Sequence, residues 1–178
     1  MWWDPTTRVR ADEFMTLFSV VLVVATFLCS LIAGFLFAFA VVVMPGIRNL
    51  DDRDFIRAFQ VIDRVIQNNQ PVFVFVWVGS VLALAAAAGL GIWGLRGTDR
   101  LLVIAAALVY FLGVQWPTVS INIPLNKAIQ RLDPATMDDA ARARARSHFE
   151  PRWNRWNVIR TVFAGLASML LLLVVLRM

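Results

Sequence analysis

The residues best suited to chemistry lie at the start of the last apolar segment. Trp153, Trp156, Asn157 and Arg160 are spaced by three or four residues, so they share one face of a helix. If the span begins near Trp156, Arg160 is about one turn inside it, where a guanidinium is costly enough to mark a functional site. An interfacial arginine can instead snorkel to lipid phosphate, and tryptophans are common interface anchors. Residue types alone leave both interpretations open.

Amide side chains occur where the third apolar segment ends, which is expected to be the same side of the membrane as the start of the last segment. Asn122 and Asn126 follow the third segment, close to Pro117 and Pro124, where regular helix should fail. Irregular backbone at membrane depth is tolerated only where it is buried in protein or lines a cavity. We therefore expect a polar cavity on the connector side, although amides of this kind also cap helices and hold them together. The expected walls are Gln60, Asn69, Asn122, Asn126, Asn157 and Arg160.

Metal and nucleotide sites find little support in the sequence. One cysteine, Cys29, and one histidine, His148, cannot build the clusters that zinc or iron-sulfur centres need, so we predict no metal and no cofactor. Cys29 lies in an apolar run and is expected to be a buried hydrophobe. His148 lies in a charged connector and is expected to be solvated. The glycines at 89, 91 and 94 have dinucleotide-fingerprint spacing, but no strand precedes them.

These side chains must be positioned by helices in a bilayer. The 178 residues are 60% hydrophobic and 16% charged, with a mean hydropathy of +0.69, which is typical of a membrane protein. We predict one all-α domain, residues 1–178, an integral membrane four-helix bundle with two amphipathic connector helices. The predicted spans are 14–44, 71–95, 101–121 and 156–176, and the predicted connectors are 45–70 and 122–155.

The connectors have helical patterns of their own. In the first, Asp51 or Asp52 can cap a helix whose apolar stripe is Phe55, Phe59, Ile62 and Ile66, with Ile56 and Val65 widening it. Arg53, Arg57, Asp63 and Arg64 are expected mostly elsewhere on this helix. In the second, Thr136 and Asp139 have the spacing of a capping box. Arg142 and Arg146 then share a face that we expect to meet solvent or lipid phosphate.

Charge distribution predicts the orientation in the membrane. Of the 17 Lys and Arg residues, twelve lie on the side of the two long connectors and five on the side of the termini. The positive-inside rule then places the connectors in the cytoplasm and the termini outside, against the local preference of Arg8 and Arg10. No soluble module is present to carry a nucleic-acid face, so no nucleic-acid partner is predicted.

Four short motifs resemble those of the anthrone-oxygenase-like small integral membrane proteins, many of which are bacterial and of unknown function. The motifs are Ala33, Gly34 and Phe35 leading to Pro45; Phe59 and Gln60; Pro124, Leu125 and Asn126; and Trp153, Asn157 and Arg160. The resemblance extends over nearly the whole chain. Where many relatives have histidine, this chain has Asn157, which removes an obvious proton acceptor.

The resemblance implies a multi-pass protein of the bacterial plasma membrane that oxidises an anthrone to an anthraquinone with O2, without metal or flavin. Arg160, Asn126 and Asn157 would form an oxyanion site. The expected substrate-binding residues are Gln60, Asn69, Asn122, Trp153 and Trp156. No general base is identified. The alternative is a non-catalytic membrane protein that binds lipid or a protein partner, and a transport role would require a homo-oligomer.

Overall fold

The computed structural model describes the backbone of residues 5–178 and the side chains of residues 12–178. Five helices follow one another, and four of them are long and apolar enough to cross a membrane. Helix α1 consists of Pro5–Ala38, the π-helical turn Phe39–Val43 and a last turn, Met44–Ile47. Helices α2, α3 and α5 are Asp52–Gln67, Pro71–Gly94 and Asp139–Arg177. Helix α4 consists of Gly97–Tyr110, the π-helical turns Phe111–Gln115 and Thr118–Asn122, and Ile123–Gln130.

The long helices form an all-α bundle with an apolar interior and an apolar exterior. Helix α1 packs against α3 and α5, and α4 packs against the same two helices from the other side. Side chains such as Phe18, Leu22 and Tyr110 are fully buried, while Phe27, Phe75 and Leu82 are largely exposed. Exposed apolar residues of this size along four spans indicate a lipid environment. The chain is therefore a multi-pass integral membrane protein.

The two ends of the bundle differ. At one end, α3 connects to α4 through Leu95 and Arg96 alone, and Gly97 begins α4 with φ +58°, a conformation that favours glycine. At this end Arg177 Nε donates to Asp99 Oδ1 at 2.5 Å, which ties the end of α5 to the start of α4. The connectors lie at the opposite end. The turn is shorter than the segment 96–100 that separates the predicted spans 71–95 and 101–121.

In helix α2 the predicted N-cap is confirmed, but the buried face differs from the predicted one. The Asp51 side chain accepts a hydrogen bond from the Asp54 N–H at 2.8 Å, so Asp51 is the N-cap. Phe55 and Phe59 are buried as predicted, but Val65 is exposed. Asp63, expected mostly off this face, is buried instead. It follows Phe55 and Phe59 at four-residue steps, so the helix turns it toward the protein.

Helix α5 begins later than expected and is longer. Asp138 caps it by accepting from the Ala141 N–H at 2.6 Å, whereas the Thr136 hydroxyl donates to the Asp133 carbonyl and takes part in the preceding turn. Thr136 is therefore not the cap that the capping-box spacing predicted. From Asp139 the helix continues through Pro151 to Arg177, so the second connector helix and the fourth span are one element.

Helix α4 does not fail at the prolines, as the sequence analysis expected. It switches to π-helical turns at Phe111–Gln115 and Thr118–Asn122 and then continues to Gln130. Proline lacks an N–H and its ring clashes with the carbonyl four residues earlier, and wider π turns next to Pro117 and Pro124 accommodate both constraints. The irregularity predicted there is present, but the chain stays helical.

Arg146 joins the two connectors and does not face solvent. Its Nε donates to Glu150 at 2.8 Å and its Nη1 to Asp52 at 3.1 Å. Nη1 and Nη2 also donate to the carbonyls of Leu50 and Arg48, and the guanidinium lies 4.3 Å from the centre of the Phe55 ring. The side chain therefore fixes the end of α1 and the start of α2 against α5, which corrects the expected solvent-facing role.

Candidate functional site

A cavity of about 390 Å³ lies where α1, α2, α3, α4 and α5 meet on the connector side. Its volume falls within the usual range of small-molecule sites. Most of its surface is apolar and aromatic, from Phe35, Phe39, Phe59, Phe73, Trp77 and Trp153. Its polar walls include Asp63, Asn69, Asn122, Asn126, Asn157 and Arg160. A flat apolar ligand with few polar groups would match this lining.

The cavity opens between α3 and α4. Val74 and Val78 of α3 and Val119 of α4 line it and are also exposed on the surface of the bundle. Trp77 Nε1 donates to Gln115 Oε1 at 3.1 Å and bridges the same two helices. Apolar side chains of α3 and α4 at an opening would face acyl chains in a bilayer. A hydrophobic ligand can therefore enter sideways from lipid.

Arg160 lies on α5 with its guanidinium inside the protein. The residue is 5% exposed, Nη1 donates to Thr118 Oγ1 at 3.0 Å, and Nη2 donates to Asn157 Oδ1 at 3.0 Å. Its Nε has no hydrogen-bond partner. Among the side chains of residues 12–178, no carboxylate lies within ion-pairing distance of it. A buried cation held only by neutral groups keeps its attraction for an anionic or strongly polar ligand atom.

Asn122 adds a second set of free polar atoms to the cavity. It ends the π-helical turn Thr118–Asn122, is 2% exposed, and has no partner at either Oδ1 or Nδ2. Buried amides without partners are rare because losing their hydration costs about 1–3 kcal/mol per group. The π turn inserts an extra residue and so rotates this side chain relative to a regular helix. Asn122 can donate one hydrogen bond to a ligand and accept another.

Asp63 lines the cavity from α2 and is held by amide groups. Its Oδ1 accepts from Asn126 Nδ2 at 2.7 Å, and its Oδ2 accepts from Gln130 Nε2 at 2.9 Å and from Gln67 Nε2 at 3.3 Å. Asn126 is fixed in turn because its Oδ1 accepts from Trp153 Nε1 at 2.7 Å. The residue is 2% exposed. Asp63 has three donors and, among the described side chains, no cation within ion-pairing distance, so hydrogen bonds alone stabilise this carboxylate.

Most residues predicted for the site reach the cavity, but they do not all have free atoms. Asn69, Asn122, Asn126, Trp153, Asn157 and Arg160 line it. Both polar atoms of the Asn157 amide are engaged, since Nδ2 donates to the Leu36 carbonyl at 3.0 Å and Oδ1 accepts from Arg160. Asn126 is engaged by Asp63 and Trp153. Arg160 Nε and the Asn122 amide are the buried polar atoms among these six residues that have no hydrogen-bond partner.

Two predicted residues lie outside the cavity. Gln60 is buried, but its Nε2 donates to the carbonyls of Ile129 and Leu132 at 2.8 and 2.9 Å, so it ties α2 to the end of α4. Trp156 is half-buried and does not line the cavity. The face of α5 that lines the cavity carries Trp153, Asn157 and Arg160, and Trp156 lies at the edge of that face.

Asp63 and Thr118 line the cavity and were missed by the sequence analysis. The spacing of Asp63 from Phe55 and Phe59 was a usable signal, because a charge in register with buried aromatics is unusual. Thr118 carried no signal, since a threonine in an apolar span commonly bonds its own helix. Its hydroxyl does donate to the Val114 carbonyl at 2.6 Å, while also accepting from Arg160. Within residues 12–178, no group of three His, Cys, Asp or Glu side chains could hold a metal ion.

Comparison with known proteins identifies a family. A family model described as anthrone oxygenase matches residues 61–170, well over half of the chain. The match covers the cavity residues from Asp63 to Arg160, while the Ala33 to Phe35 motif, Phe59 and Gln60 lie outside it. No curated protein and no solved structure matches the chain. The chain belongs to the anthrone oxygenase family.

Proposed function

We propose that this protein is a membrane oxygenase that uses O2 to oxidise a flat, apolar, phenolic ketone of the anthrone type. One observation carries the proposal: Arg160, whose Nε has no partner, and Asn122, whose amide has none, are both residues that line the same apolar cavity. A cavity that only stored acyl chains would have no use for a buried guanidinium, which is costly in a membrane. The family match supports the same activity class.

The chemistry needs a proton acceptor and an oxyanion site. In an anthrone, the methylene across the ring from the ketone is acidic because loss of its proton delocalises charge onto the ketone oxygen. Arg160 stabilises that oxygen as it becomes negative, and the Asn122 Nδ2 group donates to it. The carbanion then reduces O2, and the resulting peroxide loses water. One anthrone and one O2 thus give one anthraquinone and one water.

The remaining cavity residues position these groups. Asn157 holds Arg160 through its Oδ1 and is itself fixed to α1 through the Leu36 carbonyl. Trp153 packs against Phe59, with ring centres 5.4 Å apart, and against Phe39 at 5.6 Å, so its indole forms a rigid wall. In this proposal Asn126 and Asn157 support the reacting groups and the aromatic wall holds the rings of the substrate.

Substrate and O2 are both apolar, and both would reach the site from the bilayer through the opening at Val74, Val78 and Val119. We place the protein in a bacterial plasma membrane with its connectors in the cytoplasm, as its charge distribution predicts. The same opening would admit a lipid chain, which is the observation that favours a non-catalytic lipid-binding protein as the second candidate. The two candidates differ in whether Arg160 is needed for turnover.

The test compares Arg160→Lys with Arg155→Lys, an exposed arginine on the same helix. Lysine keeps the charge but lacks the planar guanidinium. It therefore cannot contact Thr118 and Asn157 and at the same time keep a third N–H, that of Nε, for a ligand. Each protein is purified in nanodiscs and supplied with a hydroxyanthrone in air, and O2 uptake and quinone are measured. We expect Arg155→Lys to match wild type and Arg160→Lys to lose about 100-fold in rate. No rate above the protein-free reaction would refute the oxygenase, and equal rates above it in all three proteins would refute the role of Arg160.

A further inference from the structure

We propose that Asp63 is the general base that removes the proton from the substrate. This inference rests on the proposed function, which requires a base but does not name one. Asp63 is the carboxylate that lines the cavity within the described side chains, and it lies on α2, whereas Arg160 lies on α5. His148 does not line the cavity and is exposed.

The hydrogen bonds of Asp63 leave it able to accept a proton. An ionised carboxylate offers about four lone-pair positions. The three amide donors occupy one position on Oδ1 and two on Oδ2, so one position on Oδ1 is left. Because its donors are neutral amides, no cation fixes its charge.

Helices α4 and α5 place the residues that contact Asp63 and Arg160 about 10 to 12 Å apart along their axes, close to the span of one ring with a polar contact on each side. Helix α4 contacts Asp63 through Asn126 and Arg160 through Thr118, eight residues apart, or about 12 Å along the helix. Helix α5 gives about 10 Å between Trp153, which holds Asn126, and Arg160. A ring ketone with a donor on its oxygen and a base at the opposite carbon needs about 10 Å, with hydrogen-bond lengths included.

The proposed step balances without any group outside the site and substrate. The C–H bond of the methylene breaks, and its proton forms an O–H bond with Asp63 Oδ1. The electron pair of that bond delocalises through the ring onto the ketone oxygen, next to Arg160 and Asn122. Gln67, which donates to Asp63, and Lys127 are exposed side chains that line the same cavity, so water at its rim can exchange the proton of Asp63.

The test isolates this step by omitting O2. Wild-type protein in nanodiscs is incubated anaerobically with a hydroxyanthrone in D2O, and deuterium in the methylene is followed by mass spectrometry. We expect exchange well above the protein-free rate, and a loss of about 100-fold in Asp63→Asn. Binding of a hydroxyxanthone, which has the ketone but no methylene, should be retained. The control is Asp54→Asn, the same change at an exposed position of α2, which should exchange like wild type.

A second variant separates the base from the hydrogen-bond network. In Asp63→Asn alone, the NH2 group of the new side chain faces amide N–H donors where a carboxylate oxygen accepted from them. This loss of hydrogen bonds can prevent folding. Asp63→Asn combined with Gln130→Glu restores a carboxylate to the network, but on a residue that does not line the cavity. We expect this double variant to fold and to bind the xanthone, with exchange still about 100-fold below wild type.

The outcomes separate this inference from the proposed function. Exchange at the wild-type rate in Asp63→Asn or in the double variant overturns Asp63 as the base, while aerobic oxidation by the wild type leaves the oxygenase standing. A wild type that binds no xanthone and neither exchanges nor oxidises the anthrone refutes the proposed function itself. Loss of exchange with retained binding in the double variant supports the base.

Discussion

Replacing Asn122 by leucine should make the protein more stable and a poorer binder. The side chain is 2% exposed and neither polar atom of its amide has a partner. Burying unsatisfied polar groups costs about 1–3 kcal/mol each, and leucine has a similar volume without that cost. We expect Asn122→Leu to raise the free energy of unfolding by about 1–3 kcal/mol. If the Asn122 amide only held helices together, the substitution would lower the free energy of unfolding instead.

Ligand binding should change in the opposite direction. Losing one hydrogen bond between a buried amide and the ligand ketone costs about 1.4–2.8 kcal/mol, or about a 10- to 100-fold rise in Kd. Quenching of tryptophan fluorescence by a hydroxyxanthone measures this affinity, because Trp77 and Trp153 line the cavity. Asn154→Leu, a half-buried amide of α5 outside the cavity, is the control and should bind normally. Unchanged affinity in Asn122→Leu, or a loss of stability, would refute the binding role of this amide.

Three further predictions concern stability, metal content and orientation. Arg146→Gln should lower the free energy of unfolding by about 2–4 kcal/mol, because it breaks charged hydrogen bonds to two connector carbonyls and two carboxylates. The control is Arg144→Gln at an exposed position, which should change the free energy of unfolding by less than about 0.5 kcal/mol. Elemental analysis and an optical spectrum of the purified protein should give no stoichiometric zinc, non-haem iron or haem, and a near-equimolar metal would contradict this. A reporter inserted at Ala135 should give a cytoplasmic signal, and an external signal would reverse the predicted topology.

The number of membrane spans, and the side of the bundle on which the cavity residues lie, could be predicted because lipid imposes simple rules. Runs of about 20 apolar residues and the helical repeat of Phe55 and Phe59 follow from bilayer thickness and helix geometry. The grouping of Asn122, Asn126 and Arg160 on the connector side followed from their positions relative to the ends of these runs. These three residues do line one cavity.

The details that failed depend on tertiary contacts. Nothing in the local sequence distinguishes Asp138 from Thr136 as a cap, or indicates that Arg146 would find carbonyls nearly 100 residues away. Gln60 was grouped with the cavity amides, but its partners are carbonyls at the end of α4. Asp63 was assigned to the polar side because of its charge, although its position in the aromatic repeat predicts burial.

A structure of the wild-type protein with a hydroxyxanthone bound would test the central claim most directly. The account predicts the ligand in the cavity, with its ketone oxygen within hydrogen-bonding distance of Arg160 Nε and Asn122 Nδ2 and its opposite ring atom facing Asp63. A xanthone bound elsewhere, or one in the cavity with no polar contact to Arg160, would contradict it.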